Sequence, residues 1–408
     1  MPFFQYTLQL GNTLVTLNTP DLLGFGLVLV AILFILIAGS VFLKRLFYDI
    51  GQKVYGLEKT VLLVRVPKDI PEQEAGAQKL QEAIAGAEAF FSSLGGLKAE
   101  RGPGAWFFGR RDQISFEMVY HEGLIRFYVA VPRHLKDYVE EQLHAQYPGA
   151  TIETVEDYNI FPPQGYVEAA YLTFKRSDVF PLKTYRDVET DTLNPIMNAL
   201  SKLAPGDGAA IQVLARSARA EWRAEGIRVA SNMQQGKSLK QASGKNTLSG
   251  FGTALKETVR TKPKSESVPS EKDYRLSPLE EEMVKGLEEK ASKAGLDANI
   301  RVVVSGRTQE EAKAHLGNIL NAFSQFNIYQ YGNSFKQVSI SSSRKLRHMI
   351  AAFVYRKFSE KMKILLNTEE MASVFHFPLW STETPKIDWL LSTKAQPPAN
   401  MPTEGLLL

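Results

Sequence analysis

Residues 113–131 read QISFEMVYHEGLIRFYVAV. Ile114, Phe116, Met118 and Tyr120 fall at every second position, which is the side-chain period of a strand with one buried face. His121-Glu122-Gly123 supplies turn chemistry, and LIRFYVAV (124–131) resumes an apolar, β-branched run. The stretch therefore predicts a hairpin. Upstream, TVLLVRV (60–66) is a strand ended by Pro67, and Ala77, Leu80, Ile84, Ala87, Phe91 and Leu94 step by three and four along one helix face until Gly95-Gly96. Downstream, Leu135, Val139 and Leu143 mark a helix ending near Pro148-Gly149, and TIETVEDY (151–158) is a further strand. The order over 60–158 is βαββαβ, the ferredoxin-like plan.

A second, interrupted copy is expected over 166–333. YVEAAYLTF (166–174) reads as a strand, 192–203 as a helix, AAIQVLARS (209–217) as a strand and 218–235 as a helix. The pattern resumes with a helix over 278–294, a strand at NIRVVVSG (299–306), a helix over 309–323 and a strand at FNIYQYG (326–332). The second half repeats the strand, helix, strand spacing of the first. One α/β domain of irregular order is the alternative. The fold class expected is α+β: an N-terminal transmembrane helix, then two ferredoxin-like modules, the second interrupted by a helix and a flexible loop.

The averages of the chain conceal this organisation. It has 408 residues, 44% of them hydrophobic, 23% charged, and a net charge of +4. Cysteine is absent, which excludes disulfide scaffolds, thiolate metal sites and cysteine nucleophiles. Leu22 to Leu43 carry no charge, and a helix of that length covers roughly 33 Å, enough to cross a hydrocarbon core. A secretory signal fits less well, because it needs a basic start and Lys44 is the first cation. Lys44, Arg45 and Lys53 follow the span whereas only Asp21 precedes it, so the positive-inside rule places the tail 1–21 outside and the remainder inside. The expectation is a single-pass protein of the inner membrane with its C-terminal bulk in the cytoplasm.

Residues 234–273 hold eight cations, Lys237, Lys240, Lys245, Lys256 and Arg260 among them, against four anions. Rich in Ser, Gly and Lys and poor in large apolar residues, this insert is expected to be flexible, with anionic lipid or nucleic acid as candidate ligands. A solvated loop without a ligand is the simpler reading. The Gly-Lys pairs at 236–237 and 244–245 are not phosphate loops, since Ser231 and Leu239 stand where the motif needs glycine. The six histidines form no metal-ligand spacing, and no nucleophile elbow is present. LIRFYVAV lacks the glycines and spaced aromatics of an RNA-binding sheet. No pattern asks for a cofactor or a metal, and catalysis has no support in these residues.

After the repeat, residues 343–366 mix Arg344, Lys345, Arg347 and further cations with Ile350, Phe353 and Phe358, as in a basic amphipathic helix. Then come Asn367-Thr368-Glu369-Glu370, His376-Phe377-Pro378, Thr384-Pro385, Trp389-Leu390, Pro397-Pro398 and Pro402-Thr403-Glu404-Gly405. With VPKD (66–69), FFSSL (90–94), ISFE (114–117) and IRFYVAVPRHLKDYVEEQLHAQYP (125–148), these resemble the non-catalytic N-terminal region of membrane-anchored type IV secretion ATPases. Those are conjugative-transfer enzymes related to the HerA and FtsK translocases, and the resemblance runs over 45–408. It implies that 367–408 is an extended linker toward a motor whose phosphate loop would be expected shortly beyond Gly405, whereas this sequence ends at Leu408. The expected role is a non-enzymatic scaffold that docks a hexameric ATPase or other secretion subunits and self-associates. A membrane-tethered module binding nucleic acid or another anion is the alternative.

Overall fold

The computed structural model describes residues 5–10, 13–68, 77–242, 276–340 and 342–390. The chain divides into two compact units, one of residues 1–54 with 101–111 and one of residues 55–100 with 112–408. In chain order the elements begin with an antiparallel hairpin, β1 (Gln5–Leu10) and β2 (Thr13–Asn18), in the segment expected as a tail. The long helix α1 (Thr19–Leu57) follows, continuing well past the Leu43 expected as its end. It is long and apolar enough to cross a membrane. Leu27 and Phe34 are each 71% exposed, so nothing among the described residues covers this stretch as a soluble core would.

Only Glu58 separates α1 from β3 (Lys59–Arg65). Next are α2 (Ala77–Gly95), the six-residue α3 (Pro103–Phe108) that belongs to the first unit, β4 (Ile114–His121), β5 (Leu124–Pro132), α4 (Lys136–Gln146) and β6 (Thr151–Val155). The second half runs β7 (Tyr166–Phe174), α5 (Asn194–Ser201), β8 (Gly208–Ser217), α6 (Glu221–Gln234), α7 (Leu239–Ala242), α8 (Pro278–Ser292), β9 (Gly295–Gly306), α9 (Gln309–Ala322) and β10 (Phe335–Ser339). It closes with α10 (Ser343–Val354), β11 (Ile364–Asn367) and α11 (Thr368–Val374).

One antiparallel sheet holds nine strands in the order β10-β7-β9-β8-β4-β5-β3-β6, with β11 paired to the start of β9. The first four strands of the sheet domain in sequence lie as second, third, first, fourth. The next four lie as fourth, first, third, second. The halves are joined through their second strands, where Ile114 to Tyr120 pair with Ala215 to Ala209. Ser277, Thr308 and Asn367 each begin a helix with a capping box, closed by Glu280, Glu311 and Glu370.

Strand alternation sorts the core into two layers. Phe116, Met118, Tyr120, Ile211, Val213, Ile300 and Val302 point to the face covered by α2, α4, α5, α9 and α11. Val61, Leu63, Tyr128, Ala210 and Val303 point to the other, where Met349 and Phe353 of α10 cover them. The sheet edges β6 and β10 are five residues each, and Glu153 and Lys336 stand on them. Short, charged edges oppose strand addition by a second chain.

Three expected boundaries are corrected. FNIYQYG (326–332) is not a strand: the Arg176 guanidinium captures the carbonyls of Tyr329, Gln330 and Gly332, and the edge strand forms later as β10. The amphipathic helix of 343–366 ends at Val354, because Arg356 takes a left-handed φ of 47° and the chain returns to the sheet as β11. The linker expected over 367–408 is folded as far as Leu390, with Phe375 and Phe377 each 1% exposed. Residues 391–408, like 243–273 of the basic insert, lie outside the described residues.

Candidate functional site

The sheet carries an unusual row of side chains on its α10 face. Register places Tyr128, Glu117, Gln212, Arg301 and Tyr171 side by side on β5, β4, β8, β9 and β7. Glu117, Gln212 and Arg301 are each 0% exposed and straddle the join between the halves. A buried carboxylate needs compensation, and Glu117 has it from every side. Arg356 grips it bidentately, Nε to Oε1 at 2.8 Å and Nη2 to Oε2 at 3.0 Å. Ser115 Oγ donates at 2.5 Å, Tyr158 OH at 2.7 Å and Gln212 Nε2 at 2.7 Å. Burial pushes the Glu117 carboxyl up, but the Arg356 charge and these donors outweigh it and hold it below the usual range. With its lone pairs filled, Glu117 is a fixed anion rather than a proton acceptor.

The same row holds down the loop that follows α10. Gln212 donates to the Phe353 carbonyl at 3.3 Å, Gln113 to Arg356 at 3.1 Å, and Arg301 Nη2 to Lys357. Asn299 exchanges two bonds with Ser359, at 3.0 and 2.5 Å. Arg356, held in its left-handed turn, also forks onto Asp157 with both bonds at 2.7 Å. The last turn of α1 lies against this turn: a Cβ on Gly56 would overlap the Tyr355 carbonyl, so glycine is required for the close approach. The charged cluster thus lies near residues 55–57, the last of α1, which belong to the same unit as the sheet.

Cations outnumber anions there. Arg301 is wholly buried and its Nε and Nη1 have no hydrogen-bond partner among the described residues. Lys59, the first residue of β3, has part of its stem in solvent, yet its Nζ is buried and equally unpartnered. Burial, then repulsion from Arg356, lower the Lys59 ammonium to about 7 against partial support from Glu117. The unfolded chain therefore binds a proton that the folded chain lacks between pH 7 and 10.5, and stability contributed through Lys59 rises with pH across that window. Lys59→Met is expected to flatten this rise and to stabilise the full-length protein at pH 6.5 by on the order of 2 kcal/mol. Urea midpoints of both proteins in detergent at pH 6.5 and 9.5 check it; an equal slope in the two would refute it.

The residues that carried the family resemblance in the tail have structural duties. Asn367 caps α11, and Glu370, closing its capping box, accepts from the Leu182 amide and pairs with Lys290 at 3.0 Å, both side chains 1% exposed. Lys290 also donates to the carbonyls of Phe180 and Leu365. His376 sits between the Ala372 carbonyl at 2.9 Å and the Asp191 carboxylate at 3.0 Å. Asp191 further accepts from Thr382 at 2.8 Å and the Leu193 amide at 2.8 Å. Its burial raises the carboxyl, and His376 more than offsets that, leaving it below the ordinary range. A cleft of about 260 Å³, open to solvent, is lined by Lys285, Glu289, Lys290, Lys293, Glu369 and Glu370. Lys293 bridges Glu88 and Glu369 across it.

The residues singled out in the sequence are scattered by the fold. Lys44 stacks on Trp106 and Lys53 pairs with Asp49 at 3.1 Å, one turn away on α1, where Arg45 is exposed. Lys237 donates to Asn232 at 2.8 Å beyond the end of α6. Lys245, Lys256 and Arg260 lie outside the described residues, as does the side chain of Lys240. Arg344, Lys345 and Arg347 are exposed on α10. Sequence reading missed Glu117, Gln212 and Arg301. Their signal was available: each is a polar residue at an inward position of an otherwise apolar strand.

No curated protein matches the chain. A family model described as Domain of unknown function (DUF8128) matches residues 78–390, from the start of α2 to the end of the described tail. That range takes in Glu117, Gln212, Arg301 and Arg356 together with the Lys290–Glu370 and His376–Asp191 pairs, while α1 and Lys59 precede it. The match covers well over half of the chain and contains both buried networks, so this protein belongs to the DUF8128 family.

Proposed function

We propose that the protein is a non-catalytic scaffold, anchored by α1 in the cytoplasmic membrane with its sheet domain inside the cell, that docks the motor ATPase of a type IV secretion or conjugative-transfer system. The observation that carries this reading is the direct succession in the chain of a helix long and apolar enough to cross a membrane and the first strand of the sheet: Leu57 ends α1 and Lys59 begins β3. We further infer that each half keeps the ferredoxin-like plan, since the strand orders second, third, first, fourth and its mirror are those of two split βαβ units sharing one sheet. The lone cations Lys44, Arg45 and Lys53 after the span favour an external N-terminus.

Solubilised full-length protein carrying an affinity tag should bring down a hexameric ATPase from membranes of its source cells. Purified alone, it should not hydrolyse ATP. Recovery without any ATPase, or turnover by the purified chain, would overturn the proposal. Steeply salt-dependent DNA binding that is lost on replacing Arg344, Lys345 and Arg347 with alanine would favour an anion-binding module instead.

A further inference from the structure

The segment between α2 and β4 does something the sheet does not require. Residues 101–111, RGPGAWFFGRR, leave the sheet domain and pack with α1 as part of the first unit. Its helix α3 lies along α1 just beyond the apolar stretch. The Trp106 ring sits 3.6 Å from Lys44 Nζ, Phe108 meets Phe47 edge-on at 5.8 Å, and Gln52 donates to the Arg110 carbonyl at 3.4 Å. A Cβ on Gly51 would overlap the Phe108 backbone, so glycine lets α3 lie directly on the helix. Yet the aromatic side chains are not consumed by this packing. Trp106 remains 55% exposed, Phe107 39% and Phe108 40%.

We propose that α3 is a second membrane element: an interfacial wedge that lays Trp106 and Phe107 into the headgroup and acyl-chain boundary beside α1. This rests on the reading of α1 as a membrane span. Two features name a bilayer as the occupant. The wedge is continuous with the apolar surface of α1, which is itself uncovered. Trp106 stands level with Lys44, the first charge after Leu43, which is the depth at which amphipathic rings settle in a bilayer. A protein partner would leave the apolar collar of α1 and the wedge with different solvents at the same height.

The chain contains no cysteine, so one introduced thiol labels a single site. Full-length Phe107→Cys, Phe34→Cys and Glu310→Cys proteins, each carrying an environment-sensitive fluorophore, are reconstituted in phosphatidylcholine–phosphatidylglycerol vesicles. Nitroxide lipids labelled near the headgroup or deep in the acyl chain serve as quenchers. The expected result is quenching of the Phe107 site chiefly by the shallow nitroxide, about threefold above the Glu310 site on α9, with the Phe34 site quenched chiefly by the deep one. Quenching at the Phe34 site with none at the Phe107 site overturns the wedge and leaves the span standing. Quenching at neither overturns both.

Discussion

Arg356→Met is expected to lower the stability of the full-length protein by about 3–5 kcal/mol, the cost of breaking a buried ion pair. The guanidinium provides two of the five bonds that hold Glu117 as a buried anion and is itself 3% exposed. Removing it leaves a carboxylate with no countercharge in contact, so Glu117 must either stay charged at high cost or take up a proton. Because Arg356 holds Glu117 below the ordinary carboxylate range, the stability it contributes is present at neutral pH and lost as pH falls through the folded-state value. The urea midpoint in detergent measures the effect. Adding Glu117→Gln to Arg356→Met should restore part of the loss, since the orphaned charge goes with it. A loss below about 1 kcal/mol, or a double variant no better than the single one, would show that the pair is not the keystone of the α10 turn.

Phe375→Ala should cost about 3–5 kcal/mol by the transfer and cavity terms of a buried aromatic. Phe375 meets Phe116 at 5.3 Å, Phe377 at 5.6 Å, Phe127 at 6.1 Å and Phe91 at 6.5 Å, joining α2, β4 and β5 through one ring. The loss tests whether the tail to Leu390 belongs to the core or only leads away from it. Val354→Ala, at a site 46% exposed on the last turn of α10, is the matched control and should change stability by no more than about 0.5 kcal/mol. Equal midpoints for the two variants would mean that the segment after Asn367 is dispensable for folding.

The legibility of this fold varies with the source of each signal. The hairpin 114–131 and the helix face of α2 were readable because alternation of period two and a stripe stepping by three and four are local. The loop at 326–332 read as a strand from equally local information, since Phe326, Ile328, Tyr329 and Tyr331 are strand-forming residues ahead of a glycine. What removed it from the sheet is Arg176, about 150 residues away in sequence, whose guanidinium takes three of its carbonyls. The tail misled in the opposite direction: prolines and a family resemblance suggested extension, while His376 and Glu370 find Asp191 and Lys290 only in the folded chain.

By itself, then, the sequence determined that an uncharged 22-residue stretch precedes two rounds of alternating strands and helices, because both follow from the spacing of apolar side chains along one chain. Tertiary structure alone decided that the two rounds share one sheet through β4 and β8, and that Glu117, Gln212, Arg301 and Arg356 meet at that join beside the end of α1. Strand order and the pairing of buried charges depend on which distant segments exclude water together, and no periodicity records that.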